Sequence, residues 1–578
     1  MKSRTSFFNV TVFKKNLTRF APAWGLCTVF MLMSLITSYY DNNRLPSHMV
    51  DWVQSVTVWA GIYAMVCAML LFGDLFQSRM CNALHALPIR RETWFVTNVI
   101  SGLVFFLIPT AAVGILATAL MAAFSYPMGW VTGPLWFLCS NLLFICFFGI
   151  AVFSVMCVGS RFAMAVVYGI LNFGSMIAYW LVDMLYVSQL YGIQTKMEPF
   201  LWFSPVGHLV EHPVANMEHI YRNAQSNEVV DGILTLGEGW GYLWIWAAVG
   251  LIMGALALVL YRRRRLESAG DFLAIRKLEP VFLIVYTLCV GALFSLLMGS
   301  LLVGLLVGYF TGQMLLKRTV RVFQRKTIGK CAIVLALVFG SIAVVAWDPL
   351  GIEEWMPEKQ DVEYVLVTDS HYEYSECEIT LEEAADLEKV LAMHQASMQW
   401  HRERIRQSVS VYETSVLGTV TLADAEPEPV VSFSLEYHLK NGRTVSRYYY
   451  IPYDTQSYET LKHLFSRQEC VFGADTDVDM LMETHQSCYV RLNGGSEFSE
   501  VYFSGKNMRN LLTVILADCE AGTMAQSWSF HDGEEVTLAR VVFPDGTGIR
   551  IYSDCKNVLQ WLESKGIDTD ALIEELKK

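Results

Sequence analysis

Up to about Trp347 the chain repeats one device, a block of some 20 residues almost without charge, and after Asp348 it does not use that device again. A helix needs roughly 20 apolar residues to cross the hydrocarbon core, and a backbone in lipid must satisfy its polar groups internally, so such blocks fold as spanning helices. Nine can be placed: Trp24 to Tyr39, Val53 to Phe72, Phe95 to Phe124, Pro134 to Val158, Phe162 to Leu185, Tyr242 to Tyr261, Val281 to Leu297, Gly299 to Leu316 and Cys331 to Trp347. The run Val281 to Leu316 is too long for one helix and barely enough for two, and a re-entrant pair is the alternative there. With 54% hydrophobic residues among 578, the composition excludes an ordinary soluble enzyme. The expected fold class is a polytopic α-helical membrane protein of about nine spans with a C-terminal extracytoplasmic α+β domain.

Lysine and arginine near the span ends set the expected orientation. One side carries 21 of them, including Lys2, Lys14, Arg79, Arg90, Arg91, Arg161, the run Arg262 to Arg265, and Lys317 to Lys330; the other carries Arg44, Lys196 and Arg222. The basic side is therefore expected in the cytosol, in a plasma membrane, with the N-terminus inside. Nine spans then put the C-terminal part outside. That part, beyond Pro349, holds 19 basic and 40 acidic residues, a net charge of −21, which suits a soluble surface.

Residues 1–23 show no cleavable signal pattern. Phe7, Phe8, Val12, Phe13, Leu17 and Phe20 interleave with Lys14, Lys15 and Arg19. This pattern suits an amphipathic helix on the inner leaflet, and equally a plain anchoring flank of the first span.

No internal energy source is legible. The pairs Gly329-Lys330 and Gly505-Lys506 are followed by Cys331 and Asn507, and neither has a glycine five places earlier, so no phosphate-cradling loop is expected. Ionisable groups that would couple transport to an ion gradient belong near mid-membrane, yet Asp74, Asp183 and Glu279 all fall at span ends. Asn141, Asn172, Ser154 and Ser175, inside spans, are expected to satisfy one another between helices.

Between the second and third blocks, within residues 74–94, lies Gln77-Ser-Arg-Met-Cys-Asn-Ala-Leu-His-Ala-Leu-Pro-Ile-Arg-Arg91. Met80, Ala83, Leu84 and Leu87 recur at i, i+3, i+4 and i+7, giving one apolar face, while Arg79, Arg90 and Arg91 surround it. Pro88 is expected to end that helix. A short rigid helix with an apolar face can seat in a partner's groove and pass on a rigid-body shift. Topology-setting positive flanks need neither the apolar face nor the proline stop.

The sequence Ala83-Leu84-His85-Ala86-Leu87-Pro88-Ile89-Arg90-Arg91, after an amphipathic N-terminal helix and a first hairpin, resembles the ABC transporter permeases of the type-2 exporter class. The resemblance covers roughly Met1 to Arg265. Tyr261-Arg-Arg-Arg-Arg-Leu-Glu-Ser-Ala-Gly-Asp271 is similar to a subgroup from Gram-positive bacteria with extra spans and an extracytoplasmic domain. It implies a six-span core (residues 24–265), three additional spans (266–349) and an outer domain (350–578). It also implies a coupling loop made by Arg79, Met80, Ala83, Leu84, Leu87, Pro88, Arg90 and Arg91, and a second permease copy or homologue. Separate ABC ATPase subunits would then hold ATP and magnesium, none of it on this chain.

Gly304, Gly308 and Gly312, and likewise Gly250 and Gly254, are spaced by four for close helix packing, within one subunit or across a dimer. In the loop Val187 to Gly239, residues His208, Glu211, His212, Glu218 and His219 match no recognised metal spacing, and surface histidines on an amphipathic lid are expected. Trp202, Phe203 and Trp240 suit an interfacial belt.

From Glu353 to Lys578 the pattern strand, helix, hairpin, helix is expected twice. The first copy uses Val362 to Thr368, Leu381 to Arg404, Val430 to His438 with Thr444 to Ile451 about Asn441-Gly442, and Tyr458 to Phe465. The second uses Glu500 to Phe503, Met508 to Cys519, Val536 to Phe543 with Gly548 to Tyr552 about Asp545-Gly546, and Val558 to Leu562. Five of its cysteines, Cys377, Cys470, Cys488, Cys519 and Cys555, cannot all pair. No residue spacing marks a catalytic site, and nothing suggests nucleic acid.

The expected function is thus a permease exporting an amphipathic or hydrophobic cargo. The competing expectation is an envelope-stress sensor or signalling subunit that modulates an ATPase and moves nothing, and the weakest is a membrane-tethered enzyme.

Overall fold

The computed structural model describes residues 7–40, 45–86, 89–123, 129–221, 229–264, 272, 279–369, 378–407, 414–415, 418–419, 430–453, 455–472, 487–492, 499–526, 537–543 and 548–569. They form two compact units, one of Met1–Val182 with Met197–Val338, the other of Asp183–Lys196 with nearly all of the chain from Phe339 to Lys578.

The first unit is helical. In order come α1 (Val10–Arg19), α2 (Ala21–Tyr40), α3 (Leu45–Leu71), α4 (Ser78–His85), α5 (Arg91–Ala123), α6 (Gly129–Cys157) and α7 (Arg161–Leu185). After them run α8 (Glu198–Leu201), α9 (Pro205–Glu211), a hairpin of β1 (Ala215–Tyr221) and β2 (Val229–Leu236), then α10 (Gly239–Arg263), α11 (Glu279–Met298), α12 (Leu301–Lys317) and α13 (Arg325–Ala346). Each of the nine expected blocks holds a helix. Among the described residues, six helices are long and apolar enough to cross a membrane: α5, α6, α7, α10, α11 and α13. The pair α1 and Ala21–Ile36, bent by 57°, makes a seventh if taken as one span, while Val56–Leu71 and α12 are shorter apolar helices. The long run Val281 to Leu316 divides at Gly299, whose φ of +66° breaks the helix between α11 and α12.

Helix α6 is the hub of this unit, with 72% of its most apolar stretch buried. Phe144 stacks on Phe106 of α5 at 4.4 Å and on Phe148 at 5.3 Å. Glycines admit the neighbours. A Cβ on Gly149 would lie 1.9 Å from the Gly250 carbonyl oxygen, and one on Gly250 would lie 2.5 Å from the Cys146 Cα, so α6 and α10 touch backbone to backbone. Gly254 departs from the expected packing pair, because nothing lies within 4 Å of its missing Cβ. The packed line of α10 passes from Gly250 through Met253 to Ala257, in steps of three and four. Gly304, Gly308 and Gly312 face α11 within the same chain, at Gly291 and Phe294, at Thr287, and at Leu283.

The span-interior polar residues do not pair as expected. Asn141 Nδ2 reaches Thr110 Oγ1 of α5 at 3.1 Å, but Asn172 Nδ2 and the Ser154 hydroxyl donate to carbonyls four residues back in their own helices. Ser175 Oγ has no hydrogen-bond partner among the described residues. In an apolar setting the nearest free lone pair is the helix's own carbonyl, so short side chains bond locally.

The second unit is α+β, with two sheets of the same topology. Strands β3 (Val362–Asp369), β4 (Glu378–Leu381), β5 (Val430–Leu439) and β6 (Thr444–Pro452) pair antiparallel in the order β4-β3-β5-β6. Strands β7 (Ser487–Leu492), β8 (Ser499–Ser504), β9 (Ala539–Val542) and β10 (Gly548–Ile551) repeat it as β8-β7-β9-β10. Helices α14 (Ala384–Gln407), α15 (Gln456–Phe465) and the short α16 (Gln468–Phe472) belong with the first, α17 (Lys506–Ala521) and α18 (Lys556–Ser564) with the second. Each half therefore opens on a hairpin where a single strand was expected. Leu381, expected to start a helix, ends β4, whose burial alternates along Glu378–Leu381 as a one-sided strand requires. The Asn441-Gly442 turn forms with Gly442 at φ +78°; Asp545-Gly546 lies outside the described residues. Cys470 is disulfide-bonded, while Cys488, Cys519 and Cys555 are buried free thiols.

The segment Asp183–Lys196, expected to divide between the end of the fifth span at Leu185 and the long loop from Val187 to Gly239, instead belongs to this unit. Gly192 O accepts from Tyr448 N at 3.1 Å on the edge of β6, Tyr191 stacks on His401 at 3.6 Å, and Lys196 pairs with Glu436.

Beneath that edge His394 is fully buried between the hydroxyls of Tyr437 and Tyr449. Burial, aided by the Arg447 cation, lowers its pKa from 6.5 to about 4. The unfolded chain takes up that proton near 6.5 and the folded chain only near 4. Stability is therefore complete above the first value and declines as pH falls toward the second, by about 3 kcal/mol. The denaturation midpoint of this unit in the full-length protein, followed by proteolysis, should drop between pH 7 and 4.5, and His394→Gln should flatten the slope. A midpoint unmoved over that range would contradict the assignment.

Candidate coupling site

Helix α3 closes at Leu71, and its last carbonyls lack intrahelical partners. Asn98 of α5 donates Nδ2 to the Leu71 oxygen at 3.1 Å, while its Oδ1 accepts from Asn16 of α1 at 2.7 Å. Asn16 also reaches Ser101, and Thr97 Oγ1 accepts from the backbone of Asn9, which caps α1. Helix α1 is thus bonded to the first turns of α5.

A 3-10 turn, Gly73–Phe76, follows with Leu75 and Phe76 buried. Its carbonyl at Leu75 and the Val155 carbonyl at the end of α6 converge on one side chain. Arg264, one residue beyond α10, donates to Val155 O at 2.8 Å and contacts Leu75 O at 3.5 Å. A guanidinium suits the negative end of a helix dipole and can serve two acceptors at once. Arg262 pairs with Glu92 in the first turn of α5 at 3.2 Å. Below them Tyr261 packs against Trp94 and Phe95, each at 5.8 Å, and Phe72 meets the same two rings. The Arg161 side chain comes within 3.6 Å of where a Cβ on Gly73 would stand. The ends of α3, α5, α6, α7 and α10 are therefore gathered around one short turn.

Helix α4 grows out of that turn. Cys81 points inward and is buried, while Arg79, Met80 and Ala83 are exposed, Met80 by 43%. The helix ends at His85, three residues before Pro88. Leu87 and Pro88 lie outside the described residues, as does the side chain of Leu84. Ile89 packs on the core, Arg90 is exposed and Arg91 opens α5.

Asn16, Asn98, Tyr261 and Arg264 were not singled out from sequence. Arg264 stood in a run of four arginines that read as a positive flank and as part of the likeness to a permease subgroup, and nothing in the run says which member turns inward. His208 is a further difference. Expected at a surface, it is buried, its Nδ1 accepting from Trp246 Nε1 at 3.1 Å and its ring against Tyr242 at 4.2 Å. Buried, an imidazole must be hydrogen-bonded, and an indole N–H supplies that partner. The side chains of Glu218 and His219 lie outside the described residues, and among those described no group of three His, Cys, Asp or Glu gathers as for a metal. Trp202 and Phe203 are exposed, and Trp240 meets Trp244 edge-on.

No protein-family model, curated protein or solved structure matches the chain. The fold is that of a polytopic α-helical membrane protein with, among the described residues, six membrane-length apolar helices and a separate sheet-containing unit.

Proposed function

We propose that this chain is the permease subunit of an ATP-binding-cassette transporter, exporting an amphipathic or hydrophobic cargo and driven by a separate ATPase subunit. The observation that carries the reading is α4: a short helix presenting Met80 and Ala83 outward, rooted in a turn that Arg264 ties to the end of α6. A push on such a helix is delivered to several spans together, because their ends share hydrogen bonds and aromatic contacts rather than a slack loop. The basic ends of α4, α10, α12 and α13 favour the cytosol, where an ATPase would be found. A bridged Cys470 agrees with a C-terminal domain on the oxidising side, and nine spans join the two.

Leu84→Asp should leave the protein in the membrane and still foldable, yet abolish cargo-stimulated ATP hydrolysis by the complex; unaltered stimulation would count against the lever. Co-purification with a stand-alone ATPase tests the partnership. Cargo flux in reconstituted vesicles separates a transporter from a sensor, which would change hydrolysis without moving anything.

A further inference from the structure

The three helices beyond the six-span core enclose a cavity of about 630 Å³ between the start of α11, the end of α12 and the start of α13. Its lining is graded. Lys317, Lys326 and Lys330 are exposed at one end, Lys317 Nζ donating to Thr327 Oγ1 at 3.4 Å, and Glu279 is the one carboxylate among the lining residues. Deeper in, Thr287, Tyr309 and Gln313 are buried polar groups. Leu283, Ile284, Ile333 and Val334 complete the wall, with Ile284 49% and Ile333 61% exposed on helices α11 and α13, both of membrane-crossing length.

We propose that this cavity binds one anionic phospholipid of the basic-side leaflet, its phosphate among the three lysines and its acyl chains along Ile284 and Ile333. Among the described lining residues, three lysines against one carboxylate leave a net positive charge, which an anionic headgroup would neutralise. Thr287 donates to Leu283 O in its own helix, but the Tyr309 hydroxyl and the second N–H of Gln313, whose Nε2 contacts that hydroxyl at 3.5 Å, suit the glycerol and ester oxygens, and open apolar flanks suit chains that stay continuous with the bilayer. A soluble anion such as free phosphate would use the lysines but not the apolar wall. Gly304, Gly308 and Gly312 press α12 onto α11 behind the cavity and hold its back wall. The proposal does not depend on transport, and cytosolic orientation decides only which leaflet is sampled.

The test uses full-length, delipidated protein in detergent, with phosphatidylglycerol and phosphatidylcholine as probes and bound lipid read by native mass spectrometry. One phosphatidylglycerol per chain should be retained in preference to phosphatidylcholine. Joint substitution of Lys317, Lys326 and Lys330 by glutamine should weaken its retention at least about tenfold, while the same three changed to arginine should keep it. Equal retention of both lipids, loss in the arginine protein, or glutamine substitution without effect would overturn the proposal. So would displacement of the lipid by inorganic phosphate at similar concentration, which would mark a bare anion site. None of these outcomes bears on whether an ATPase drives the protein.

Discussion

Gly250→Val should prevent assembly of the helical unit. At the crossing of α6 and α10 the Gly250 Cβ position lies 2.5 Å from both the Cys146 Cα and the Ile145 carbonyl oxygen, and these are backbone atoms that no rotamer change can move aside. The helices must separate, and with them goes burial of Leu143, Phe147, Trp246 and Ala247. Overpacking a close-packed interior usually costs 1–3 kcal/mol, and a backbone-to-backbone clash belongs at or beyond the upper end, about 3 kcal/mol or more. Gly254→Val, one turn away with open space at its Cβ, should cost little. Yield of monodisperse protein and its thermal midpoint in detergent give the comparison. Equal behaviour of the two variants would mean that the helices do not meet where the glycines put them.

Arg264→Leu should loosen the turn that roots α4 while the spans remain in place. The arginine satisfies one carbonyl at the end of α6 and contacts another in the Gly73–Phe76 turn, and leucine leaves both acceptors without it. A hydrogen bond from a charged group is worth roughly 1.5–3 kcal/mol, or about tenfold to a hundredfold in a local opening equilibrium. Amide exchange from Gly73 to Cys81 should accelerate by about that factor, with α6 and α10 little changed away from their ends. Arg264→Lys should fall between, since an ammonium lacks the planar fork that spans two carbonyls. Unchanged exchange in the leucine protein would remove Arg264 from the candidate coupling site. Under the proposed function, the same variant should lose stimulation of the partner ATPase in parallel with Leu84→Asp.

The two variants probe features of different legibility. Gly250 was visible as one of two glycines spaced by four on a spanning helix, though the spacing does not say that Gly250 is packed and Gly254 open. The partner of Gly250, Gly149, was not, since nothing local says which of the other helices will cross there. The buried histidines differ in the same way: His208 and His394 look like any polar residue until Trp246, Tyr437 and Tyr449 are brought around them.

What the sequence determined by itself is what each segment needs from its solvent. Apolar blocks without charge must be helices in lipid, alternating residues about Asn441-Gly442 must be a hairpin, and the helix before Pro88 must be short, because solvation and backbone sterics act within a few residues. Tertiary structure alone decided which of four arginines turns back to the carbonyls at Val155 and Leu75, which side chain closes the end of α3, and where Asp183–Lys196 docks on the edge of β6. Those choices satisfy polar groups left over at the ends of elements, and such groups find partners only from chain segments tens to hundreds of residues away.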